Sequence, residues 1–237
     1  MDRNVVIIFG GSSGIGESCA KQLVMDGAQV MIVGRNAERI ERACLRIGGD
    51  VEGASVDATD RQAVVHFFEG VEPFHHLVLC QSGGKGAGPF RTLDLDHIRS
   101  GIEAKLFAQL SVAQASLARL KSAGSITFVS AGSARVPIPG TVGLAAINGA
   151  IEATIATLAR ELAPLRVNAV SPGVIDTPWW QGMPAQAREA VFQRTAAELP
   201  VGRVGKPEDV ARGIVYLINN TFVTGSVLPV DGGAHLC

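Results

Sequence analysis

Residues 5–16 read VVIIFGGSSGIG, a run of five apolar residues followed by a turn that contains four glycines. The run is apolar at every position, which is typical of a strand in a parallel sheet with helices on both faces. Glycines let the chain reverse and leave bare backbone N–H groups at the start of the next helix, where phosphate binds. This stretch therefore predicts the first strand, turn and helix of a nucleotide-binding α/β fold.

Apolar runs and helical patterns alternate along the rest of the chain. The helical patterns include Ile15–Met25, Ala37–Ile47, one opening with a capping box at Thr59, a long one over about 96–121 and another over about 141–162. The candidate strands are Val5–Phe9, Gln29–Gly34, Val51–Val56, His76–Cys80, Ser125–Ser130, Arg166–Ser171 and Ser226–Val230. We expect one domain over residues 1–237, a Rossmann-like, doubly wound parallel α/β sheet of about seven strands with helices on both faces.

The composition excludes several classes of protein. The chain has 237 residues, of which 47% are hydrophobic and 18% charged, and a net charge of −1. This profile is that of a globular domain, and it predicts neither a nucleic-acid partner nor a membrane partner. The four cysteines are far apart and no secretory signal is visible, so we expect free thiols and a cytoplasmic protein. The five histidines show no metal-ligand spacing, and we expect no metal site.

The segment after the sixth candidate strand is the one long interruption of the alternating pattern. It is rich in Pro, Gln and Ala and contains Trp179 and Trp180. We predict a substrate lid around residues 174–200. The two tryptophans either cover the substrate or anchor the lid to the core.

The end of the second strand indicates which cofactor the glycine turn would bind. An NAD site places an acidic residue there to hold the ribose 2′-hydroxyl. Here the strand ends in Gly34 and Arg35, and a guanidinium suits a 2′-phosphate. We therefore predict NADP(H) in preference to NAD(H), unless Arg35 is only a solvated loop residue.

Further motifs follow in order along the chain. Asp57 comes after the third candidate strand, and a Pro-Gly turn at 172–173 ends the sixth. With the glycine turn, these segments make the chain resemble the short-chain dehydrogenase/reductase family along nearly its full length. The resemblance implies that Asp57 meets the adenine and that Ile175 and Thr177 contact the nicotinamide carboxamide. The implied cofactor-binding set is Gly10, Ser12, Ser13, Gly14, Ile15, Gly16, Arg35, Asp57, Ala58, Gln81, Gly83, Ile175 and Thr177.

The same resemblance implies a departure from the family's chemistry, which uses an Asn, a Ser, a Tyr and a Lys. When residues 139–140 are aligned on the family's Pro-Gly dipeptide, Ala131 falls at the Ser position. Leu144 falls at the Tyr position and Asn148 at the Lys position. Lys105 falls at the position of the Asn in the fourth helix.

The loss of Tyr and Lys does not depend on that alignment. Tyr216 is the only tyrosine in the chain, and no lysine lies between Lys121 and Lys206. No Tyr-x-x-x-Lys pair therefore exists in this sequence.

Replacement proton donors are few, and none can be assigned a catalytic role from the sequence. Ser130 and Ser133 flank the lost serine. Asn148 could hold the ribose by hydrogen bonds but carries no charge. Lys105 would contribute a charge if it lies in the site, and is otherwise a solvated helix residue.

Two functions of different class remain open. The first is an NADP(H)-dependent oxidoreductase with a non-standard proton route, acting on a small, largely apolar molecule. Substrates that need no protein acid, such as an iminium or an activated alkene, suit this reading. The second is a catalytically inactive cofactor-binding or partner-binding subunit with a regulatory or structural role.

Small residues are dense around Asn148, at 145–150. Small side chains at this spacing let helices approach closely. In the resembling family this helix and the one before it form a dimer interface, which implies a homodimer or homotetramer. Packing against the protein's own sheet is the alternative.

Overall fold

The structure is a computed structural model that describes residues 4–82 and 84–237. Its strands form one seven-stranded sheet in the order β3-β2-β1-β4-β5-β6-β7, and every neighbouring pair is parallel. The strands are β1 (Val5–Phe9), β2 (Gln29–Gly34), β3 (Val51–Ser55), β4 (Phe74–Leu79), β5 (Leu120–Val129), β6 (Arg166–Pro172) and β7 (Val227–Val230). The predicted single-domain, doubly wound α/β fold is confirmed.

Helices cover both faces of this sheet. They are α1 (Gly14–Met25), α2 (Ala37–Ile47), α3 (Arg61–Glu69), α4 (Leu95–Gly101), α5 (Ala108–Ser116), α6 (Val142–Glu161), α7 (Ala185–Glu198) and α8 (Pro207–Asn219). Helices α1, α2 and α8 share one core cluster with the sheet, and α3, α5 and α6 share the other.

Strand β1 shows why the first apolar run carries no polar residue. Val6 and Ile8 lie in one core cluster, and Ile7 and Phe9 lie in the other. Each of these four side chains is at most 1% exposed. Because successive side chains of a strand point to opposite faces, a strand between two helix layers must be apolar throughout.

The start of α3 differs from the predicted capping box. The N-cap is Asp60, whose carboxylate accepts hydrogen bonds from the backbone N–H groups of Gln62 and Ala63 at 2.9 and 3.1 Å. Thr59 lies one residue before this cap, and its hydroxyl donates to Asp57 at 2.8 Å. The cap therefore lies one residue later than the predicted capping box at Thr59.

The long helix predicted over about 96–121 is wrong in both its continuity and its end. The chain forms α4, then a π-helical turn over Ile102–Phe107, and then α5, which ends at Ser116. Strand β5 already begins at Leu120, where it pairs with Phe74 of β4. Periodicity cannot reveal a π-helical turn, which inserts one extra residue into the turn and is frequent at functional sites.

Helix α6 is long and apolar enough to span a membrane, judged by length and composition alone. Ile147, Ile151 and Ile155 on this helix are each at most 2% exposed, and the latter two belong to the core cluster between α6 and the sheet. Its apolar character is therefore that of a core helix.

Strands β1 and β4 are neighbours, and the chain leaves them to opposite sides of the sheet. This is the switch point at which doubly wound folds form a crevice beyond the carboxyl ends of their strands. The segments after β1, β4, β5 and β6 meet at this edge, and they contain most of the residues discussed below.

Candidate active site

The turn after β1 can be built only with glycine at two positions. Gly10 has a φ of 82°, and a Cβ there would lie 2.7 Å from the backbone of Cys80 and Gln81. A Cβ on Gly16 would lie 2.2 Å from the carbonyl oxygen of Gly10. The first glycine therefore allows β1 to approach the end of β4, and the last allows α1 to pack on the turn.

The N-terminus of α1 is open to the crevice. Its N-cap, Ser13, is extended and makes no side-chain capping hydrogen bond. Gly14 follows with a φ of 54°, and a Cβ on it would lie 3.4 Å from Cβ of Thr177. Gly14 and Thr177, which are far apart in the sequence, thus border the first backbone N–H groups of this helix. An anion is favoured at this position.

The ends of β2 and β3 bring Arg35 and Asp57 together. Arg35 is exposed, and its positive charge acts on the carboxylate of Asp57. Hydrogen bonds from Thr59, followed by the charge of Arg35, hold the pKa of Asp57 below its ordinary value. The hydroxyl of Ser12 lies 3.7 Å from where a Cβ on Gly34 would be. Ser12, Arg35, Asp57 and the neighbouring Ala58 thus border the same end of the crevice.

An ion pair that the sequence did not reveal stands behind the glycine turn. Glu17, in the first turn of α1, accepts from Nε and Nη2 of Arg46 at 2.7 and 2.8 Å. The same Nη2 donates to the carbonyl oxygen of Ser12 at 3.4 Å. Arg46 therefore neutralises a carboxylate that would otherwise repel an anion at the turn.

Gln81 is placed directly beside Gly10. Both polar atoms of its side-chain amide are buried, and neither has a hydrogen-bond partner among the described residues. Its carbonyl oxygen accepts from Nε2 of Gln109 at 3.2 Å, and the same nitrogen reaches the carbonyl oxygens of Leu79 and Val129. Gln109 thus fastens the ends of β4 and β5, and it leaves the Gln81 amide without a protein partner. Gly83 lies outside the described residues.

The segment after β6 passes along the opposite side of the crevice. Ile175 is 6% exposed and packs on Gly205, whose carbonyl oxygen accepts from the N–H of Asp176 at 2.9 Å. Thr177 caps the short 3₁₀ helix Pro178–Gly182. These hydrogen bonds hold the segment beside the N-terminus of α1, where Thr177 lies next to Gly14. Ile15 of α1 is partly buried and packs on the core cluster that contains Ile175.

The two tryptophans have different environments. Nε1 of Trp180 donates to the carbonyl oxygen of Ile175 at 2.9 Å, and its ring packs edge-on against Phe192 of α7 at 5.5 Å. Trp179 is 47% exposed, and its Nε1 lies 3.8 Å from where a Cβ on Gly84 would be. Trp180 therefore anchors the segment, whereas Trp179 faces the loop that follows β4 across the crevice.

Lys105, Asn148 and Ser133 form a hydrogen-bonded chain beneath this crevice. Nζ of Lys105 donates to Oδ1 of Asn148 at 2.7 Å and to the carbonyl oxygen of Ser130 at 3.0 Å. The Asn148 amide nitrogen donates to Oγ of Ser133 at 3.1 Å and to the carbonyl oxygen of Leu144 at 2.8 Å. The structure thus brings three of the four candidate side chains into one line.

Lys105 is buried, which overturns its reading as a solvated residue. It is 8% exposed and lies in the π-helical turn, which directs it inward from between α4 and α5. Burial lowers the pKa of Lys105 from 10.5 to about 8, against the opposing effects of Cys80 and Glu152. Burial also raises the pKa of the neighbouring Cys80 thiol to about 12. At neutral pH the lysine therefore carries a proton, and it releases that proton far more readily than a solvated lysine.

Ser130, the fourth candidate, faces away from this line. Its hydroxyl donates to Oε1 of Glu152 at 2.8 Å, and the residue is 2% exposed. Glu152 also accepts from Oγ of Ser171 at 2.7 Å and from Nε of Arg135 at 2.8 Å. Sequence reasoning missed Glu152, although its spacing of one helical turn from Asn148 places both on one face of α6.

Tyr216 lies on α8, where its hydroxyl accepts from the side-chain amide of Asn220 at 3.0 Å. The buried face of α8 packs in the core shared with α1 and α2. Within residues 4–82 and 84–237, no group of three His, Cys, Asp or Glu side chains is placed to hold a metal ion.

Comparison with known proteins agrees with this architecture. A family model described as Enoyl-(Acyl carrier protein) reductase matches residues 10–235. A short-chain dehydrogenase/reductase of Stachybotrys chlorohalonatus is 31% identical, over 98% of this chain and 96% of the relative. The chain belongs to the short-chain dehydrogenase/reductase family. It is an oxidoreductase of that family's type.

Two further proteins are similar to this chain over most of their length. A crystal structure of a small-chain dehydrogenase in complex with NADPH has a TM-score of 0.86 and 37% identity, over 100% of both chains. A peroxisomal 2,4-dienoyl-CoA reductase of Saccharomyces cerevisiae is 34% identical, over 97% of this chain and 83% of the relative.

Proposed function

We propose that this protein is an NADP(H)-dependent reductase of small, largely apolar molecules that contain an activated alkene, and that Lys105 holds the proton. The observation that carries the proposal is the buried pair of Lys105 and Asn148, joined at 2.7 Å under the crevice. Burial disfavours the charged form of a lysine by several kcal/mol. A buried ammonium in a crevice is therefore a candidate for a functional group.

The residues around the glycine turn fit a dinucleotide. The cradle of Gly10 and Gly16 leaves backbone N–H groups bare, and the uncapped start of α1 favours a pyrophosphate. The buried Gln81 amide has no hydrogen-bond partner within residues 4–82 and 84–237, and it suits the polar edge of a ribose. Ser12, Ser13, Ile15 and Ala58 would border the cofactor from the same turns. Ile175 and Thr177 would hold the carboxamide end.

Preference for NADP(H) rests on Arg35. It is exposed at the end of β2, where an NAD site would need a carboxylate, and the hydroxyl of Ser12 lies near the same strand end. Arg46 keeps Glu17 neutralised behind the turn. A 2′-phosphate would therefore meet a guanidinium and a hydroxyl, while the carboxylate of Glu17 is paired with Arg46.

We also infer that two of the family's catalytic residue types, Asn and Lys, have exchanged positions in this protein. At the positions where the family has Asn on the fourth helix and Lys on the helix after β5, this chain has Lys105 and Asn148. The positions of the family's Ser and Tyr hold Ala131 and Leu144. The positive charge therefore remains beneath the crevice, but it comes from the π-helical turn and no longer acts on a tyrosine.

When bound, NADPH would supply a hydride to the alkene. The enolate that forms would take up the proton held by Lys105, and solvent would replace that proton. Lys105 has three N–H donors, and two have acceptors among the described residues, so the third is left for a substrate oxygen or a water. The Lys105 ammonium polarises the Asn148 amide, whose Oδ1 accepts its hydrogen bond. The amide nitrogen of Asn148 in turn donates to Oγ of Ser133, so hydrogen bonds connect Ser133 to the charge of Lys105. The Ser133 hydroxyl proton then remains available to the substrate.

The charge of Lys105 distinguishes between the two acceptor types that need no tyrosine. An ammonium repels an iminium cation but stabilises a carbonyl oxygen that becomes an enolate when hydride adds to a conjugated alkene. The family model described as an enoyl reductase and the dienoyl-CoA reductase relative support the alkene. Leu144 in place of tyrosine makes the pocket more apolar, in keeping with such a substrate.

The test combines binding with turnover. Calorimetric titration with NADPH, and with NADH for comparison, should show micromolar binding of NADPH alone. NADPH oxidation should then proceed with cyclohex-2-en-1-one and not with a cyclic iminium salt, and it should fall as the pH rises through about 8. Binding without turnover of any enone would favour the inactive subunit, and no binding at all would refute the cofactor site.

We further propose that residues 174–200 close over the substrate. Trp180 fixes one end of this segment, and α7 within it has no buried residue, so few contacts oppose its movement.

We also propose a cytoplasmic homodimer or homotetramer. The outer face of α6 exposes a row of alanines and Phe107 is 53% exposed nearby, which suits close helix packing between copies. Light scattering after size exclusion tests the assembly.

A further inference from the structure

Glu152 is a carboxylate almost wholly enclosed by the protein. Its side chain is 11% exposed, and it accepts three hydrogen bonds, from Ser130, Ser171 and Arg135. Both serines are at most 2% exposed. Arg135 is the only one of these partners that reaches solvent, with 39% of its side chain exposed. The Glu152 carboxylate is therefore a buried anion, and its cationic partner Arg135 lies between it and solvent.

Ser130 connects this carboxylate to Lys105. The hydroxyl of Ser130 donates to Oε1 of Glu152 at 2.8 Å, and its carbonyl oxygen accepts from Nζ of Lys105 at 3.0 Å. One residue thus holds the anion by its side chain and the ammonium by its backbone. A change in the charge of Glu152 acts on Lys105 through a short, water-poor path, where electrostatic interactions are strong.

Each element packed around Lys105 contributes an identifiable group. The end of β4 contributes the Cys80 thiol, and α6 contributes Asn148 and Glu152. The loop after β5 contributes Arg135 behind Glu152. Since burial raises the pKa of the Cys80 thiol to about 12, Glu152 is the anion that faces Lys105 at neutral pH.

We propose that Glu152 is a positioning residue that keeps Lys105 protonated, and that Arg135 moderates its effect from the solvent side. This inference rests on the proposed role of Lys105 in the reaction. Two opposite effects follow. Removing the charge of Glu152 makes the ammonium of Lys105 less stable, and removing the charge of Arg135 leaves the charge of Glu152 uncompensated and makes the ammonium more stable.

A purely structural role for Glu152 is the competing explanation. The carboxylate joins the ends of β5 and β6 to α6, so its loss would weaken the fold at this edge. A structural role predicts lower stability in both variants, but it predicts no shift of opposite sign in the titration of Lys105.

The experiment follows the side-chain nitrogen of Lys105 by ¹⁵N NMR across pH in the cofactor-free protein. The chain has five lysines, and the Lys105 signal is assigned by its loss in Lys105→Arg. We expect Glu152→Gln to lower the titration midpoint by about one pH unit and Arg135→Gln to raise it by a smaller amount. The pH profile of enone reduction should move in the same directions. Glu161→Gln, at the exposed end of the same helix, is the matched control.

Unchanged midpoints in the folded variants, or shifts of the same sign, would overturn the inference. The amide of Glu152→Gln can still accept from both serines, which favours folding. If this variant nevertheless fails to fold, Arg135→Gln alone decides the question. Because the titration needs neither cofactor nor substrate, it can succeed or fail independently of the proposed reductase activity.

Discussion

Replacement of Lys105 by methionine tests the electrostatic state of this side chain without any substrate. Burial is the main reason why the pKa of Lys105 falls from 10.5 to about 8. In the unfolded chain the side chain holds its proton up to about pH 10.4. The difference corresponds to about 3 kcal/mol, by which the ammonium destabilises the folded protein at every pH below about 8.

The sign of the pH dependence follows from which state binds the proton. Between about pH 8 and pH 10.4 the unfolded chain binds one proton more than the folded chain, so the free energy of unfolding rises with pH. The Lys105→Met protein lacks this rise. Its loss of two hydrogen bonds, to Asn148 and Ser130, costs about 1–3 kcal/mol each, but that cost does not vary with pH. The slope is therefore the diagnostic quantity.

Urea unfolding at closely spaced pH values from 7 to 10.5 measures this slope in both proteins. We expect the difference in the free energy of unfolding to change by about 3 kcal/mol in favour of the natural protein as the pH rises. Lys21→Met, at an exposed position of α1, controls for the loss of a lysine. A constant difference across the range would show that Lys105 has an ordinary pKa, and the argument for its catalytic role would fail.

Three further substitutions test separate parts of the site. Arg35→Asp should weaken NADPH binding by about tenfold or more, because a charge-assisted hydrogen bond is replaced by repulsion, and should spare NADH; equal effects on both in a calorimetric titration would contradict the cofactor assignment. Ser133→Ala should lower kcat for enone reduction by about tenfold while leaving NADPH affinity unchanged, and an unaltered kcat would remove Ser133 from the reaction. Gly16→Ala should destabilise the protein by about 1–3 kcal/mol, since its Cβ would lie 2.2 Å from the carbonyl oxygen of Gly10, and a melting temperature equal to that of the natural protein would mean that the turn yields easily.

The sheet and the glycine turn follow from local patterns in the amino-acid sequence. The apolar run of β1 and its glycines predict a two-faced central strand, and the seven candidate strands agree with the observed ones to within a few residues at all but one end. The exception is β5, which begins five residues earlier than predicted, at Leu120 and not at Ser125. Strand periodicity and turn chemistry are local properties, so they can be read without knowing what packs against them.

Other features depended on competition between neighbours. Helix α3 is capped by Asp60 and not by Thr59, which donates to Asp57, and the long helix before β5 is interrupted by a π-helical turn. In both places the sequence pattern allows more than one arrangement of hydrogen bonds. Which arrangement forms depends on the surrounding structure, which the local pattern does not contain.

The site itself forms only when distant parts of the chain pack together. Lys105 and Asn148 lie 43 residues apart, and their 2.7 Å contact exists because the π-helical turn and α6 pack together beyond the ends of β4 and β5. The same packing buries Lys105, brings Glu152 to Ser130 and places Thr177 beside Gly14. A side chain's charge state depends on its desolvation and on charges from distant parts of the chain, and neither exists before the elements are packed.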